Sequence, residues 1–438
     1  MESLRGETIQ VQALTDYLSS GIVSGEKRSL GLELEHFVVE RGTGAPVSYL
    51  PDPTTGRPGI RTVLERLAPA YDERVFEPQG SQSSLIGLIR PQANITLEPG
   101  AQLEISIGPA SAIAELEALY AAFRADLDPI LADFGYELLH LGYHPTACAS
   151  ELPLIPKNRY EHMDRYFEST GRHGICMMRA TASTQVSIDY FCEKDAVQKF
   201  RVANALGPLL AFVTDNSPFF EGVRVGSTEL TRSGLPVPRR MARTVIWDDV
   251  DAQRSMTAPC TFDEGFGFVR YAESLLDAPA IFSYNTEGLS VYEGFTPFKE
   301  VFANTPLSAH DIEHILSLFF FDARLKTYIE IRVADSLPLE LALGFTALVK
   351  GIFYNQEALD SFLQDFQGLD ASAIAAAKRS LRNDGYAATV YERPATQWLD
   401  RMVEFAWAGL PPDEQHYLKP LASLIARRAT PLDSPASH

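Results

Sequence analysis

The chain has 438 residues, of which 45% are hydrophobic, so it is long enough to bury a large core. Its 57 acidic residues outnumber its 38 basic residues, and the formal net charge is −19. A field of this sign does not attract nucleic acid or anionic lipid, so we expect neither nucleic-acid nor membrane binding. No apolar run approaches the roughly 20 residues of a membrane span, and the N-terminus lacks the apolar stretch of a signal peptide. We therefore expect a cytoplasmic protein, and the sequence leaves its oligomeric state open.

The predicted elements begin mainly with strands and end mainly with helices. Strands are predicted where polar and apolar residues alternate, and helices where apolar residues recur every three to four positions. In chain order they are strands at 30–35, 94–98 and 102–106, a helix at 111–134, a strand at 181–189, a helix at 194–214, a long loop at 221–262, a helix at 309–320, a strand at 328–332, and helices at 338–355, 371–383, 394–408 and 413–428. This order predicts an α+β fold. We expect one catalytic domain, 1–438, with a sheet-forming part at 28–335 and a helical C-terminal part at 338–430.

Two of these helices carry end signals in the sequence. For the helix at 111–134, Ser111 is the predicted N-cap and Gly135 offers a left-handed stop. For the helix at 309–320, Ser308 and Asp311 have the spacing of a capping box.

Familiar catalytic signatures are absent from the sequence. There is no Walker-type phosphate loop, no GxGxxG, no HExxH and no GxSxG. The cysteines form no CxxC pair, and we expect them to be reduced and mostly buried: Cys148, Cys176, Cys192 and Cys260. Any nucleotide must therefore be held without a phosphate loop.

The predicted strands share one pattern, in which polar side chains lie on one face and apolar side chains on the other. In the first strand, Glu33 and Glu35 lie opposite leucines. The strand at 94–98 places Asn94, Thr96 and Glu98 on its polar face, and the strand at 102–106 places Glu104 there. The polar face of the strand at 181–189 carries Thr181, Ser183, Gln185, Ser187 and Asp189, and that of the strand at 328–332 carries Glu330 and Arg332. A single strand of this kind is ordinary in an antiparallel sheet with one side in water. Five such strands are harder to explain in that way, because glutamate is depleted in strands.

If these polar faces converge, at least five carboxylates lie in one concavity. Carboxylates brought together out of water repel and raise one another's pKa unless cations neutralise them. Oxygen ligands suit Mg²⁺ or Mn²⁺ better than zinc. Because Mg²⁺ commonly bridges carboxylates to substrate phosphates, the pattern favours an ATP site built on a sheet.

Arginines are concentrated between residues 232 and 254 of this acidic chain. Their forked donors suit phosphate and carboxylate oxygens. They are Arg232, Arg239, Arg240, Arg243 and Arg254. A solvated loop with surface ion pairs is the alternative explanation. For Arg332, which lies among the carboxylates, we favour a functional role.

A set of sequence strings carries a family resemblance across residues 28 to 355. In order they are GLELEHF, LEPGAQLEIS, HLGYHP, PKNRYEHM, MMRATASTQVSIDY, NSPFFEG, RTVIWDDVDAQR, FDEGFGFVRYAESLLDAPAIF and RLKTYIEIRVADSLP. Each string alone is a weak or moderate signal, but the ordered set closely resembles the plant and bacterial type of glutamate–cysteine ligase. The catalytic fold of that family is related to glutamine synthetase.

The resemblance implies a curved antiparallel sheet whose concave face holds metal ions, ATP and glutamate, with helices packed on the convex side. It places the metal ligands on Glu33, Glu35, Glu98, Glu104, Gln185 and Glu330. It also implies that Arg243 and Arg332 are catalytic and contact phosphate and substrate carboxylate. Arg243 and Thr181 would bind the nucleotide, and Thr181 and Met178 would lie near the substrates. Arg254 is a weaker match to a nucleotide-binding arginine.

Two departures from the family pattern concern the recognition of cysteine. The arginine loop is followed by a glycine in relatives, whereas this chain reads Asp251-Ala252-Gln253-Arg254-Ser255-Met256 there, and the insert at 232–240 is longer than usual. In addition, Gln185 stands where some relatives have histidine.

The resemblance implies ATP-dependent ligation of glutamate, through a γ-glutamyl phosphate, to the amine of cysteine. The expected cofactors are ATP and Mg²⁺, with Mn²⁺ as an alternative. The segment 222–242 is a candidate lid against water. His36 and His144 are candidate bases, although a lone histidine is more often structural. Two alternatives stay open: a ligase of the same fold that uses another amine, and a non-catalytic nucleotide or amino-acid sensor.

Overall fold

The computed structural model describes residues 2–24, 27–79, 82–285, 288–292, 294–303 and 305–433. The helices in these residues are α1 (Glu2–Ser20), α2 (Ile60–Leu67), α3 (Ile113–Phe134), α4 (Asn158–Thr170), α5 (Gly174–Ala180), α6 (Glu193–Val213), α7 (Ala242–Trp247), α8 (Phe268–Asp277), α9 (Phe298–Val301), α10 (Ala309–Leu316), α11 (Leu339–Phe353), α12 (Gln356–Asp365), α13 (Ala371–Asp384), α14 (Ala395–Gly409) and α15 (Gln415–Ala426). The strands are β1 (Leu30–Glu40), β2 (Glu73–Gln79), β3 (Gln82–Arg90), β4 (Ala93–Leu97), β5 (Leu103–Ala110), β6 (Tyr136–Leu139), β7 (Ser183–Ile188), β8 (Phe219–Phe220), β9 (Val223–Arg224), β10 (Ser255–Met256), β11 (Phe282–Asn285), β12 (Gly288–Val291), β13 (Phe320–Phe321), β14 (Ala323–Leu325), β15 (Ile329–Asp335), β16 (Thr389–Val390) and β17 (Arg393–Pro394). Among these helices, none is both long enough and apolar enough to span a bilayer.

The main sheet has the strand order β14-β15-β7-β1-β5-β4-β3-β2, and β6 pairs with the C-terminal half of β1. Each of these pairings is antiparallel. The predicted α+β fold with a large antiparallel sheet is therefore confirmed. Strand β1 lies between β7 and β5, so the residues of its polar face have neighbours on both sides.

The two faces of β1 have different surroundings because side chains alternate along a strand. Leu30, Leu32 and Leu34 are fully buried in the main hydrophobic core. Helix α3 packs on this apolar face, where the Nε2 atom of His36 lies 2.9 Å from the hydroxyl of Tyr120. Glu33 and Glu35 alternate with the leucines, so they point to the opposite face.

The C-terminal helices reach the sheet through other helices as well as directly. Helix α11 packs against α14, α15 and β7, and α13 packs against α6, which contacts β14 and β15. The helices after β15 therefore pack, through α6, against the strand that carries Glu330 and Arg332.

The predicted helix ends agree with the structure in part. Gly135 ends α3 in the left-handed conformation with φ of 74°, and Ser308 and Asp311 form the capping box of α10, so both predictions are confirmed. Ser111 is not the N-cap of α3, because the helix begins at Ile113 and Ala112 caps it. The helix predicted at 309–320 ends at Leu316.

Two further corrections concern segments held by tertiary contacts. Residues 320–321 form β13, which pairs in parallel with β10, so this stretch cannot continue the helix before it. The predicted loop at 221–262 contains β9, α7 and β10. Helix α7 is only six residues long, which is too short to stand out as a periodic pattern in the sequence.

Candidate active site

A cleft lies against the polar face of the sheet and holds about 1000 Å³ of space, its open mouth included. Strands of the sheet form one wall, and α4, α5, α7 and the residues around β13 form the other. Its lining brings together the predicted metal ligands, both predicted catalytic arginines and Thr181: Glu33, Glu35, Glu98, Glu104, Gln185, Glu330, Arg243, Arg332 and Thr181. The predicted convergence of polar strand faces is therefore what the structure shows, while the role of each side chain stays a prediction.

Strand register places the carboxylates side by side. Glu35 on β1 lies opposite Glu104 on β5, and Glu33 lies opposite Gln185 on β7. Glu330 on β15 lies opposite Ser187, the next residue on the same face of β7. Residues facing each other across a strand pair have Cβ atoms about 5 Å apart, so the register accounts for the adjacency of Glu35 and Glu104.

Three of the glutamates form a tight cluster. Glu35, Glu98 and Glu104 each offer a carboxylate oxygen, and these oxygens lie within 4.8 Å of one another. Burial raises the pKa of Glu98 well above its ordinary value, and the nearby carboxylates of Glu104 and Glu35 raise it further. Burial likewise raises the pKa of Glu35, with Glu104 adding to the effect. The cluster fits a divalent cation, because a cation would remove this repulsion and satisfy the oxygen ligands.

Hydrogen bonds hold two members of this cluster in place. The backbone N–H and the hydroxyl of Ser183 donate to the two oxygens of Glu35 at 2.7 Å and 2.8 Å. The hydroxyl of Thr96 donates to Glu104 at 2.5 Å. These donors fix the carboxylate orientations and leave lone pairs that face the cleft.

Glu330 lies among cations. Its Oε2 atom is 2.7 Å from the nearest nitrogen of Arg324 and 2.7 Å from that of Arg332. Burial acts to raise its pKa, but Arg324, Arg332 and Lys326 together lower that pKa to about 2. Its Oε1 atom is buried and has no hydrogen-bond partner among the described residues. That oxygen therefore remains available to a ligand.

Glu33 and Gln185 lie beside Glu330 but interact differently with their surroundings. Burial first, and then Glu330 and Glu104, raise the pKa of Glu33 to about 8. The amide of Gln185 donates to Glu35 at 2.9 Å, and its carbonyl oxygen accepts a hydrogen bond from Arg332. The arginine thus already uses the oxygen that Gln185 would offer to a metal ion.

The two predicted catalytic arginines lie together at one side of the cleft. Arg243 is buried, and its Nη1 atom donates to the backbone carbonyls of Arg332 at 3.2 Å and Val333 at 3.4 Å. The Nε atom of Arg243 has no partner among the described residues. Burial lowers the pKa of Arg243, although Asp335 and Glu35 oppose the change. Arg332 is held by Glu330 and Gln185, so both guanidinium groups are oriented before any substrate binds.

Thr181 and Arg254, the other predicted nucleotide ligands, occupy different places. Thr181 lines the cleft, and its hydroxyl donates to the carbonyl of Met177 at 2.9 Å. Arg254 is fully buried, its Nε atom is 3.1 Å from Asp251, and it is not in the lining of the cleft. The structure therefore does not bring Arg254 to the candidate site.

The chain matches the family described as glutamate-cysteine ligase family 2 (GCS2) over residues 29–431. The chain belongs to this family. It is 32% identical over 363 residues to glutamate–cysteine ligase B, chloroplastic, of Oryza sativa subsp. japonica, covering 81% of this chain and 68% of that relative. It is 30% identical over 384 residues to glutamate–cysteine ligase, chloroplastic, of Arabidopsis thaliana, covering 86% of this chain and 68% of that relative. The resemblance inferred from the ordered strings is confirmed.

A solved structure shares the fold of this family member. It is the 2.0 Å crystal structure of glutamate–cysteine ligase from Francisella tularensis in complex with AMP, with a TM-score of 0.51 and 13% identity. The superposition covers 91% of this chain and 82% of that chain. At this identity the likeness concerns the fold alone, and it agrees with the antiparallel sheet described above.

Sequence reasoning missed several cationic and aromatic residues of the cleft. They are Arg159, Tyr160, Trp247, Phe320, Arg324 and Lys326. A usable signal existed for Arg324 and Lys326, which stand in the string RLKTYIEIR just before the strand of Glu330. A hairpin between β14 and β15 pairs Arg324 with Glu330. Two-residue periodicity on both sides of that turn would have placed both residues on the polar face.

The candidate bases lie away from the cleft. His36 is on the apolar face of β1, where its ring contacts Tyr120 and the carbonyl of Leu103. The Nδ1 atom of His144 accepts from the backbone N–H of Ala147 at 3.1 Å, and burial lowers its pKa to about 4. Neither histidine is among the described residues that line the cleft, so the structure does not bring either candidate base to the candidate site.

The candidate lid at 222–242 is held by ion pairs to residues outside the cleft. Arg232 pairs with Glu151 at 2.8 Å, and Arg240 pairs with Asp433 at 2.5 Å. No residue from 222 to 242 belongs to the described lining of the cleft. Movement of Arg232 and Arg240 away from these partners would break the two ion pairs.

Proposed function

We propose that this protein is an ATP-dependent ligase that joins the γ-carboxylate of glutamate to the amine of cysteine and forms γ-glutamylcysteine. The observation that carries the proposal is the juxtaposition of two charge types in one cleft of a GCS2 family member. The cluster of Glu35, Glu98 and Glu104 offers oxygen ligands, and Arg243 and Arg332 offer oriented donors beside it. Phosphoryl transfer needs this combination of charges, since negative charge moves among several oxygens during the reaction.

The first part of the mechanism is transfer of the γ-phosphoryl group of ATP to glutamate. An oxygen of the γ-carboxylate attacks the γ-phosphorus, the bond to the bridging oxygen breaks, and ADP leaves. The product is γ-glutamyl phosphate. Arg243, whose Nε–H has no hydrogen-bond partner among the described residues, donates to the oxygens on which charge develops. Arg332, held by Glu330, steadies the acyl phosphate.

The second part is acyl transfer. The amine of cysteine attacks the activated carbonyl carbon, phosphate leaves, and the amine loses a proton as the amide forms. Water must be excluded because it would hydrolyse the acyl phosphate. The wall opposite the sheet contributes apolar side chains to this end: Tyr160, Met163, Met177, Met178, Trp247 and Phe320.

Divalent cations, Mg²⁺ or Mn²⁺, are part of the proposal. Glu35, Glu98 and Glu104 would hold one such ion, and Glu33 with the Oε1 atom of Glu330 would contribute to another, with Gln185 beside them. When bound, the cations would neutralise phosphate charge. We further propose that the whole chain acts as one catalytic domain, and that it works in the cytoplasm.

The test is the release of ADP by the purified protein with MgCl₂, ATP and glutamate, adding cysteine and then other amines one at a time. We expect strong stimulation by cysteine alone and the mass of γ-glutamylcysteine in the product. Turnover with a different amine would replace the acceptor but keep the activation of glutamate. No turnover with any acceptor would favour the sensor and contradict the proposal.

A matched pair of variants connects this activity to the cluster. Glu98→Gln removes one oxygen ligand of the cluster, and Glu404→Gln makes the same change on the exposed surface of α14. We expect Glu98→Gln to require a higher MgCl₂ concentration for half-maximal ADP release and Glu404→Gln to match the unaltered protein. Equal Mg²⁺ requirements in all three proteins would remove Glu98 from the metal site.

A further inference from the structure

A buried lysine from the C-terminal helices contacts two aspartates that lie next to the arginine-bearing segments of the candidate active site. Lys378 on α13 is only 5% exposed. Its Nζ atom lies 2.7 Å from Asp248 and 2.8 Å from the nearer oxygen of Asp322. Lys378 has no role in the ligase mechanism proposed above.

The two aspartates belong to the segments that carry the catalytic arginines. Asp248 is the C-cap of α7, the helix of Arg243, and its N–H donates to the carbonyl of Thr244 at 2.9 Å. Asp322 lies between β13 and β14, and its backbone carbonyl accepts the N–H of Arg332 at 3.0 Å. Both aspartates are therefore within one backbone hydrogen bond of an arginine-bearing segment.

The two arginines also contact each other. Arg243 donates to the backbone carbonyl of Arg332, and both line a small recess together with Asp322. The path runs from Lys378 through Asp322 to Arg332, across to Arg243, and back along α7 to Asp248. Displacement of either aspartate would therefore change the separation of the arginines.

The charges explain why this link needs the lysine. One ammonium group faces two carboxylates, and it offsets the repulsion between them. The attraction of Asp248 and Asp322 outweighs the effect of burial and raises the pKa of Lys378. Removing one partner of a buried ion pair leaves an uncompensated charge, so the two carboxylates would separate or take up water.

We propose that Lys378 is a positioning residue for the ligase reaction. It holds Asp248 and Asp322 together from the helical C-terminal part and so sets the spacing of Arg243 and Arg332. This inference rests on the proposed function, because the arginines matter to catalysis only if phosphoryl and acyl transfer occur in the cleft.

The first test is the kinetics of Lys378→Met. A displacement of about 1 Å at catalytic groups lowers a rate by about 10²-fold, so we expect kcat to fall by about 10- to 100-fold. The KM values for ATP and glutamate should change less than kcat, since the arginines act more strongly on charge that develops in the transition state than on the bound substrates. A variant that merely unfolds in part would lose kcat in proportion to its folded fraction, which the melting curve measures.

The control is Lys350→Met. Lys350 is also a buried lysine in an ion pair, 2.6 Å from Glu414, but it connects α11 to the N-terminal end of α15. Its polar partners among the described residues, Glu414 and the carbonyl of Ser111, lie outside α7. We expect it to lower the melting temperature while kcat stays near that of the unaltered protein.

The second test does not depend on catalysis. Hydrogen–deuterium exchange should be faster in Lys378→Met at residues 242–249 and 320–325, and unchanged there in Lys350→Met. If Lys378→Met does not fold, Asp248→Asn breaks the same link from its other end and leaves the pair of Lys378 with Asp322. The same exchange pattern and a lower kcat are expected for that variant.

The outcomes separate this inference from the proposed function. If the unaltered protein shows no glutamate-dependent ADP release, the proposed function is contradicted. Hydrogen–deuterium exchange would still report whether Lys378 holds α7 in place. Given an active unaltered protein, faster exchange with a lower kcat supports the inference. Faster exchange with unchanged kcat, or a lower kcat with unchanged exchange at α7, overturns it.

Discussion

The metal-free protein should gain stability when Glu33 loses its charge. The pKa of Glu33 is raised from 4.5 to about 8 by burial, then by Glu330 and Glu104. Its folded form therefore binds a proton more tightly than its unfolded form, so stability is fully present below pH 4.5 and is lost as pH rises through about 8. At 1.36 kcal/mol for each pH unit above 4.5, the loss is roughly 1 kcal/mol at pH 5.5 and roughly 3 kcal/mol at pH 7.

Glu33→Gln removes this loss while keeping the size of the side chain. We expect a stability gain of about 3 kcal/mol at pH 7, which for a chain of this length raises the melting temperature by roughly 3 °C. At pH 5.5 the gain should shrink to about 1 °C. The measurement is differential scanning calorimetry in EDTA at the two pH values, with Glu404→Gln as the surface control.

With MgCl₂ and ATP added, the unaltered protein should have a higher melting temperature than Glu33→Gln, the reverse of the order in EDTA. Cations that bind the carboxylates stabilise the unaltered protein by mass action, and they stabilise Glu33→Gln less. A melting temperature of Glu33→Gln equal to that of the unaltered protein in EDTA at pH 7 would refute the reasoning. A gain of the same size at both pH values would also refute it, because the gain would not come from titration.

Three further predictions address other parts of the chain. Arg332→Lys keeps the charge but loses the forked donor, so kcat for ADP release should fall by about 10²- to 10³-fold; a fall of less than threefold would contradict the proposed role. Arg254→Met should lower stability in urea by about 3 kcal/mol with the ATP KM unchanged, since Arg254 is paired with Asp251 outside the cleft; a raised ATP KM would restore it as a nucleotide ligand. Glu392→Gly should raise stability by about 0.5 to 1 kcal/mol in the same assay, because Glu392 has φ of 64° in the turn between β16 and β17; a loss of stability would contradict this reading of the turn.

Some of the site could be predicted from local sequence patterns. The period of two in a strand is a local property, so the alternation at 30–35 already places Glu33 and Glu35 on one face, away from the leucines. The left-handed stop at Gly135 and the capping box of Ser308 with Asp311 are local for the same reason, and both were correct. The ordered sequence strings identified the family.

Other features depended on which segments meet in space. The pairing of β13 with β10 ended α10 at Leu316, although the sequence pattern continued. The burial of Arg254 against Asp251 and the hydrogen bond from Arg332 to the carbonyl of Gln185 depend on the packing of distant segments.

The sequence by itself determined the fold class, the family and the set of carboxylates, because alternation and ordered strings are written in neighbouring residues. Only the tertiary structure decided which carboxylates share a cluster and which are bound by arginines. It also brought Lys378 from α13 to Asp248 and Asp322, across separations of 130 and 56 residues. Strand register and helix packing determine such contacts, and both depend on the whole core rather than on the sequence near any one residue.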